Sequence, residues 1–164
     1  MCSGKTAVPR AGCNERRPVQ LPGGDALQHI YSNILLQHLH QGGFTQQMMK
    51  FVPQLVHGSL TLHARITSTF LPTAIKFHYI FNLRDLSNIF QGILFNSPES
   101  VKTPVDLIRV WMHEACRVYK DKLVDDVDIA TFDKVLKDTV KKQYEVTQPF
   151  LQCSCLSFVL SCYL

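Results

Sequence analysis

Hydrophobic residues recur every three or four positions along most of the chain, which is the period of an α-helix buried on one side. The clearest case follows Thr103 and Pro104, a capping residue and a first-turn proline that together predict a helix over residues 104–120. Its apolar positions are Ile108, Trp111, Met112, Ala115, Val118 and Tyr119. The same period predicts helices over residues 25–40, 83–91 and 129–145.

A further helix is expected between two prolines. Pro53 suits the first position of a helix, and Pro72 ends the helical pattern that follows it. The apolar residues on related faces of this helix are Leu55, Leu62, Ile66 and Phe70. Residues 44–51, just before it, are interpreted as a short helix or a turn.

Capping and stop residues set the expected ends of the other helices. Asp25, Asn82 and Asp128 each offer a side-chain oxygen to a first helical turn, so they are predicted N-caps. Gly92 is the predicted stop of the helix that begins after Asn82. Residues 76–82, which lead into that helix, are either a brief extended segment or a buried loop.

The overall pattern favours the all-α class. On the polar face of the last helix, Asp133 with Lys137 and Asp138 with Lys142 have the i,i+4 spacing of favourable ion pairs. The sequence contains no internal repeat and no hairpin signal. We therefore expect a small bundle of about five helices with irregular termini.

The two ends of the chain lack the helical period. Residues 1–20 are rich in turn formers and charge, so they are interpreted as an irregular N-terminal segment. Residues 146–164 form an apolar, cysteine-rich tail. The helical domain is therefore expected to span residues 21–145.

Composition and charge narrow the classes of function. The net charge of +4 comes without a Lys/Arg cluster interleaved with aromatics, so we expect no nucleic-acid partner. The longest apolar run, FLQCSCLSFVL, is shorter than the ~20 residues that span a bilayer, so we expect no membrane partner. Six cysteines occur without an apolar leader segment, which favours a reducing compartment and free thiols.

Several short motifs partly match catalytic or metal-binding signatures, but each lacks a residue or a spacing that the signature requires. SGKT at residues 3–6 lacks the upstream glycine and strand of a phosphate loop. HEAC at residues 113–116 is followed by Arg117, where a His-Glu-x-x-His zinc motif needs histidine, so its polar residues are expected on the wet side of their helix. CSC at residues 153–155, with Cys162, lacks the paired spacing of a zinc site. We expect no catalytic residue and no metal ligand.

Arg84 is a cation at the start of a predicted helix, which is an unfavourable position for a positive charge. It lies in the first turn of its predicted helix, where the helix dipole disfavours a cation unless an anion compensates. The apolar stripe of that helix places Arg84 on the opposite, exposed side. Two interpretations stay open: a solvated arginine, or an arginine that binds an anion such as phosphate with help from the helix-end amides.

Three stretches of the chain resemble one family. Residues 69–95, TFLPTAIKFHYIFNLRDLSNIFQGILF, resemble the helical lid of an AAA+ module in dynein heavy chains, and more narrowly the lid of the third module in axonemal chains of the outer-arm type. Residues 106–124, DLIRVWMHEACRVYKDKLV, continue the resemblance with the family's His-Glu-x-x-Arg-Val-Tyr-x-Asp-Lys pattern. Residues 21–39 are similar to the segment that leads into this lid.

The resemblance implies the fold of an AAA+ lid and a role for Arg84. By this resemblance, Arg84 matches the sensor 2 arginine of the family. In the intact motor, that arginine approaches the phosphates of ATP or ADP, which the large subdomain binds with Mg²⁺. Asn82 would support Arg84 as the N-cap of its helix. The implied partners are the neighbouring AAA+ modules of the ring and, through the whole heavy chain, intermediate chains, light chains and microtubules. The implied location is the cytoplasm, cytoskeleton and ciliary axoneme, where whole heavy chains hydrolyse ATP and move on microtubules.

The chain also departs from the family. Its sequence contains neither the phosphate loop nor the Walker B acids of the large subdomain, so we expect no enzymatic activity and no bound cofactor for the chain on its own. Residues 146–164 do not follow the family pattern and are interpreted as a non-native terminus of a fragment. The alternative function is a non-enzymatic helical interaction module, or a truncated isoform without function.

Overall fold

The computed structural model describes residues 22–144, which form an all-helical bundle. Its α-helices are α1 (Gly24–Gln41), α2 (Gln46–Thr69), α3 (Leu83–Leu94), α4 (Pro104–Tyr119) and α5 (Asp126–Tyr144). A single 3-10 turn, η1 (Lys120–Lys122), follows α4 directly. The predicted class and the approximate number of helices are therefore confirmed for this part of the chain.

Helix α2 lies at the centre of the bundle, where it contacts α1, α3, α4 and α5. Helix α3 packs mainly on α4. The largest fully buried side chains are aromatic residues of the last two long helices, Trp111, Tyr119 and Phe132. Within the described part of the chain, no helix combines the length and the apolar character needed to cross a membrane.

The core contains polar groups, and each of the main ones is paired. The indole Nε1 of Trp111 donates to Ser59 Oγ at 2.7 Å, and Ser59 Oγ donates in turn to the carbonyl of Leu55 at 2.8 Å. His63 Nδ1 and Tyr119 Oη share a hydrogen bond of 2.9 Å. Because a buried polar group without a partner is costly, these pairs join α2 to α4 in one register.

Helix α2 begins earlier than predicted. It starts at Gln46, so residues 44–51 are neither a separate helix nor a simple turn, and Pro53 lies inside the helix. The apolar positions of the first two turns, Met48 and Val52, are fully buried and continue the stripe of the later turns. Pro53 lies on the exposed side, where water can satisfy the carbonyl that its ring leaves without an N–H donor.

Gly92 does not stop α3, which continues to Leu94. The glycine is needed for another reason, because a Cβ at this position would overlap the side chain of Glu114. Glu114 is buried and accepts two hydrogen bonds from Arg117, at 2.9 and 2.7 Å, so it does not lie on the wet side of its helix. Gly92 lets α3 approach α4 closely over this carboxylate.

Two of the three residues predicted as acidic or amide N-caps, Asp25 and Asp128, lie inside the first turn of their helices. Helix α1 is capped by Gly23, and Asp25 lies in its first turn, where its charge complements the helix dipole. Helix α5 begins at Asp126, so Asp128 lies in the first turn instead of before it. The predicted caps at Asn82 and Thr103 do accept from the backbone of their helices.

The acids on the polar face of α5 pair with other parts of the bundle instead of with lysines of their own helix. Asp133 is paired with Lys120 at 3.1 Å, and Asp138 lies 3.7 Å from Arg65 of α2. Arg65 also donates to Thr139 Oγ1 at 2.9 Å, which fixes its direction. The i,i+4 prediction was therefore wrong, because partners from neighbouring elements lie within reach of the same carboxylates.

We expect Gly92→Ala to lower the free energy of unfolding by about 1–3 kcal/mol, because the new methyl group forces Glu114 away from Arg117. Urea denaturation followed by circular dichroism measures the change. Gly24→Ala is the matched control, since a Cβ there meets open space and should cost nothing. Equal stabilities of the two variants would contradict the close contact.

We expect His63 to destabilise the protein in mild acid. Burial lowers the pKa of His63 below its ordinary value of 6.5, against the opposing charge of Asp85. The unfolded chain then binds the proton more readily than the folded chain, so the free energy of unfolding falls as the pH drops below about 6.5. His63→Gln should reduce this slope in denaturation curves recorded between about pH 7 and pH 5. An unchanged slope would assign the acid sensitivity to other groups.

Candidate functional site

The first turn of α3 is closed by a reciprocal capping box. Asn82 Oδ1 accepts from the backbone N–H groups of Arg84, at 3.0 Å, and Asp85, at 3.3 Å. Asp85 Oδ2 accepts in return from the backbone N–H of Asn82 at 3.0 Å. The sequence requires this arrangement, because an amide at the N-cap and a carboxylate three residues later satisfy each other's backbone donors.

Arg84 points away from the bundle. Its side chain is exposed, and within residues 22–144 its guanidinium forms no ion pair or hydrogen bond. Its helix therefore supplies a fixed base for a cation whose five donors remain available. This is the geometry that an arginine needs in order to meet an anion from another domain.

The helix-end amides contribute less than the sequence suggested. The N–H groups of Arg84 and Asp85 are already directed at Asn82 Oδ1, so they are not free to bind a phosphate. An anion at this helix end would be held chiefly by the guanidinium fork. The structure thus separates the two contributions that the sequence analysis had combined.

Asp85 is buried, at 6% exposure, and carries an ion pair that the sequence analysis missed. Its Oδ1 lies 2.5 Å from Lys122 Nζ, at the end of η1. The same ammonium lies 5.5 Å from the centroid of the Phe81 ring. A buried carboxylate is tolerated when it is both paired and hydrogen-bonded, and Asp85 meets both conditions.

An aromatic layer lies beneath this ion pair. The rings of Phe81 and Tyr119 meet edge to face, with centroids 5.8 Å apart. Burial, assisted by the negative charge of Asp85, raises the pKa of Tyr119, so its hydroxyl stays protonated across the physiological range. The layer is therefore neutral and places no second charge beside the ion pair.

Residues 70–82, which connect α2 to α3, are held by a second charged cluster. Lys76 pairs with Asp125 and, at 2.6 Å, with Asp128. Tyr79 Oη donates to Asp128 at 3.0 Å and accepts from the backbone N–H of Val124 at 3.1 Å. The hydrogen bond from Lys76 lowers the pKa of Asp128, so this carboxylate stays ionised.

The same connection exposes a set of apolar side chains. We call this set the linker patch, and its members are Leu71 (66% exposed), Ile75 (88%), Phe77 (72%) and Ile80 (60%). Tyr79 and Phe81 of the same connection are buried. The connection thus contains a turn at residues 77–78, and the alternation of buried and exposed residues over residues 79–82 is that of a brief extended segment.

The remaining sequence candidates form no site in the described part of the chain. Residues 22–144 contain no cluster of three or more histidine, cysteine or acidic side chains that could hold a metal ion. Cys116 is buried and is not part of a disulfide. The motifs at residues 3–6 and 153–155 lie outside the described residues.

A signal for Asp85 was present in the sequence, because an acid three residues after a capping asparagine is the spacing of a capping box. Lys122 gave no such signal, since 37 residues separate it from its partner. The same holds for Lys76 and Asp128, which lie 52 residues apart. Long-range ion pairs depend on how the helices pack, which local pattern does not reveal.

Comparison with known proteins shows which proteins this chain is similar to. The chain matches dynein axonemal heavy chain 9 of Homo sapiens with 53% identity over 127 residues, 77% of this chain and 3% of that protein. It matches the ciliary dynein beta chain of Tripneustes gratilla with 49% identity over the same shares, and the alpha chain of the flagellar outer-arm dynein of Chlamydomonas reinhardtii with 38% identity over 128 residues, 78% of this chain and 3% of that protein.

The chain thus spans about 3% of the length of these relatives. The family model of the AAA+ lid domain matches residues 55–153, which include α3, its capping box and Lys122. The helical bundle, the order of its elements and this match lead to one assignment. The chain belongs to the AAA+ lid domain family.

Proposed function

We propose that this chain is part of an axonemal dynein heavy chain and that it forms the lid of the third AAA+ module. Identities near 50% with two axonemal or ciliary heavy chains support the first part of the proposal. The stretch around the α3 capping box, which resembles that particular lid, supports the second part. In that setting the chain works in the ciliary axoneme as one element of a microtubule motor.

Arg84 is the residue that carries the function within this proposal. It acts as a sensor of the phosphates of ATP or ADP, which the adjoining large subdomain binds with Mg²⁺. One observation supports this proposal. Asn82 fixes the backbone at Arg84, while the guanidinium of Arg84 has no partner within residues 22–144. Asn82 supports the site by holding the helix end and makes no phosphate contact itself.

The lid would couple nucleotide state to movement of the ring. A guanidinium that binds phosphate pulls the first turn of α3, and α3 packs on α4 over the Gly92 and Glu114 contact. The bundle therefore moves as one body when Arg84 gains or loses its anion, which is hinge-type closure around a ligand. Neighbouring modules, intermediate and light chains and microtubules are reached through the rest of the heavy chain.

We expect Arg84→Ala, placed in a complete axonemal heavy chain that carries this segment, to weaken binding of fluorescent ADP at this module at least about tenfold. The reason is the loss of a charge-assisted, two-pronged contact to phosphate. Arg84→Lys should fall between the wild type and the alanine variant, because lysine keeps the charge and loses the fork.

Gln91→Ala is the matched control, since Gln91 is also exposed on α3 and carries no charge. It should leave ADP binding unchanged. If Arg84→Ala also left both ADP affinity and microtubule gliding unchanged, Arg84 would be a solvated surface residue.

A second candidate function is a non-enzymatic interaction module. The linker patch supports it, because four large apolar side chains are exposed along one short connection. Contiguous exposed apolar surface often marks a protein contact. In this interpretation the chain binds other proteins and Arg84 remains in solvent.

The purified 164-residue chain separates the two functions. We expect no Mg²⁺-dependent ATP turnover and no calorimetric heat with MgATP, because the phosphate loop and the acids that hold Mg²⁺ are absent from its sequence. If the interaction module is correct, light scattering will detect oligomers that Phe77→Ser dissociates. Phe95→Ser is the control, since Phe95 is equally exposed, at 80%, but lies at the end of α3. Steady ATP turnover would contradict the first expectation, and a monomer would contradict self-association through the linker patch.

A further inference from the structure

The two carboxylate oxygens of Asp85 have separate tasks. Oδ2 accepts from the backbone N–H of Asn82, which closes the capping box, and Oδ1 accepts from Lys122 Nζ. The residue is 6% exposed, so the carboxylate depends on this cation for compensation of its charge. Without Lys122, the carboxylate would lose the cation that compensates its charge, which favours a turn toward water and away from the backbone N–H of Asn82.

Arg84 has no other anchor that would keep its direction. Its backbone N–H is held by Asn82 Oδ1, and its side chain is bound to nothing within residues 22–144. The backbone path through the capping box therefore fixes the point and the direction in which the Arg84 side chain leaves the helix, while its side-chain torsions remain free. Any group that holds the box in place also sets the region that the guanidinium can reach.

Lys122 holds the box from a different part of the fold. It ends η1, which continues α4, and its ammonium contacts both Asp85 and the ring of Phe81 just before α3. Phe81 rests in turn on Tyr119, the last residue of α4. The beginning of α3 is thus attached to the end of α4 by one ion pair and one ring contact.

We propose that Lys122 is a positioning residue for the phosphate contact of Arg84: through Asp85 it fixes the first turn of α3, and with it the point from which the Arg84 side chain reaches outward. The inference rests on the proposed function of Arg84. It adds a residue that touches no nucleotide and yet sets the affinity for one. Small displacements of a contact group are costly, because charge-assisted contacts depend on alignment.

The first test measures the capping box directly, without nucleotide. In the 164-residue chain, Lys122→Met keeps the apolar stem and removes the charge. We expect hydrogen exchange at the amides of Arg84 and Asp85 to become about tenfold faster, while the amides of α5 remain unchanged. Lys122→Arg should restore slow exchange, and Lys134→Met, at an exposed lysine of α5, is the matched control.

The second test measures nucleotide affinity in the complete heavy chain. Lys122→Met should weaken binding of fluorescent ADP at this module by about three- to tenfold, less than Arg84→Ala, because the guanidinium is still present but reaches outward from a helix start that is no longer fixed. Lys122→Arg should restore most of the affinity. In an Asp85→Asn background, Lys122→Met should have no further effect, since both residues act through one pair.

The outcomes distinguish this inference from the proposed function. Unchanged hydrogen exchange in Lys122→Met overturns the positioning role whatever Arg84 does. Faster exchange with full ADP affinity, while Arg84→Ala weakens binding, also overturns it. If Arg84→Ala itself has no effect on ADP affinity, the proposed function fails, and the positioning role toward phosphate fails with it. The hydrogen-exchange data then still report whether Lys122 holds the start of α3. Should Lys122→Met fail to fold, the double variant Asp85→Asn/Lys122→Met, which removes both charges of this pair, is compared with Asp85→Asn alone, and a further loss of ADP affinity in the double variant would overturn a role that acts through Asp85.

Discussion

The buried carboxylate of Asp85 is the constraint on which the functional end of this bundle depends. It closes the first turn of α3 through Asn82 and pairs with Lys122 from the end of α4. A buried charge must be compensated, so the fold cannot move either element without breaking a contact of Asp85. These two contacts of Asp85 fix the backbone of the helix start at Arg84. The guanidinium of Arg84 has no partner within residues 22–144.

The rest of the bundle keeps those two elements in register. Trp111 and Tyr119, on α4, are fully buried and hydrogen-bonded to side chains of α2. Gly92 lets α3 approach α4 over Glu114. Each contact joins α4 to another helix and limits sliding of α4 past its neighbours. Because α4 cannot slide, Lys122 at its end stays within reach of Asp85. The precision of the helix start is therefore a property of the whole core.

Local pattern predicted the helices well and their ends less well. The stripe of α4 and the caps at Thr103 and Asn82 depend on residues a few positions apart, and the structure contains all of them. Pro53 and Gly92 were read by local propensity as boundaries, but burial of Met48 and close packing on Glu114 overrode that propensity. The exposure of Arg84 followed from periodicity, whereas its support by Lys122 did not, because tertiary packing creates that pair. Sequence reasoning thus found the residue that points outward and missed the one that holds it.

The use of the helix-end amides bears on what this lid can contribute to a nucleotide site. In many anion sites the backbone N–H groups of a helix start form part of the pocket. Here the N–H groups of Arg84 and Asp85 are bound by Asn82, so neither of them is available to an anion, and the guanidinium of Arg84 remains as the charged group at this helix start. A lone guanidinium binds phosphate weakly in water and strongly only where another surface excludes solvent. In the proposed function, the contact of Arg84 with phosphate would therefore depend on closure against the neighbouring subdomain. An arginine presented in this way contributes little affinity to an open site and much to a closed one, and that difference would allow a nucleotide to drive movement of the lid.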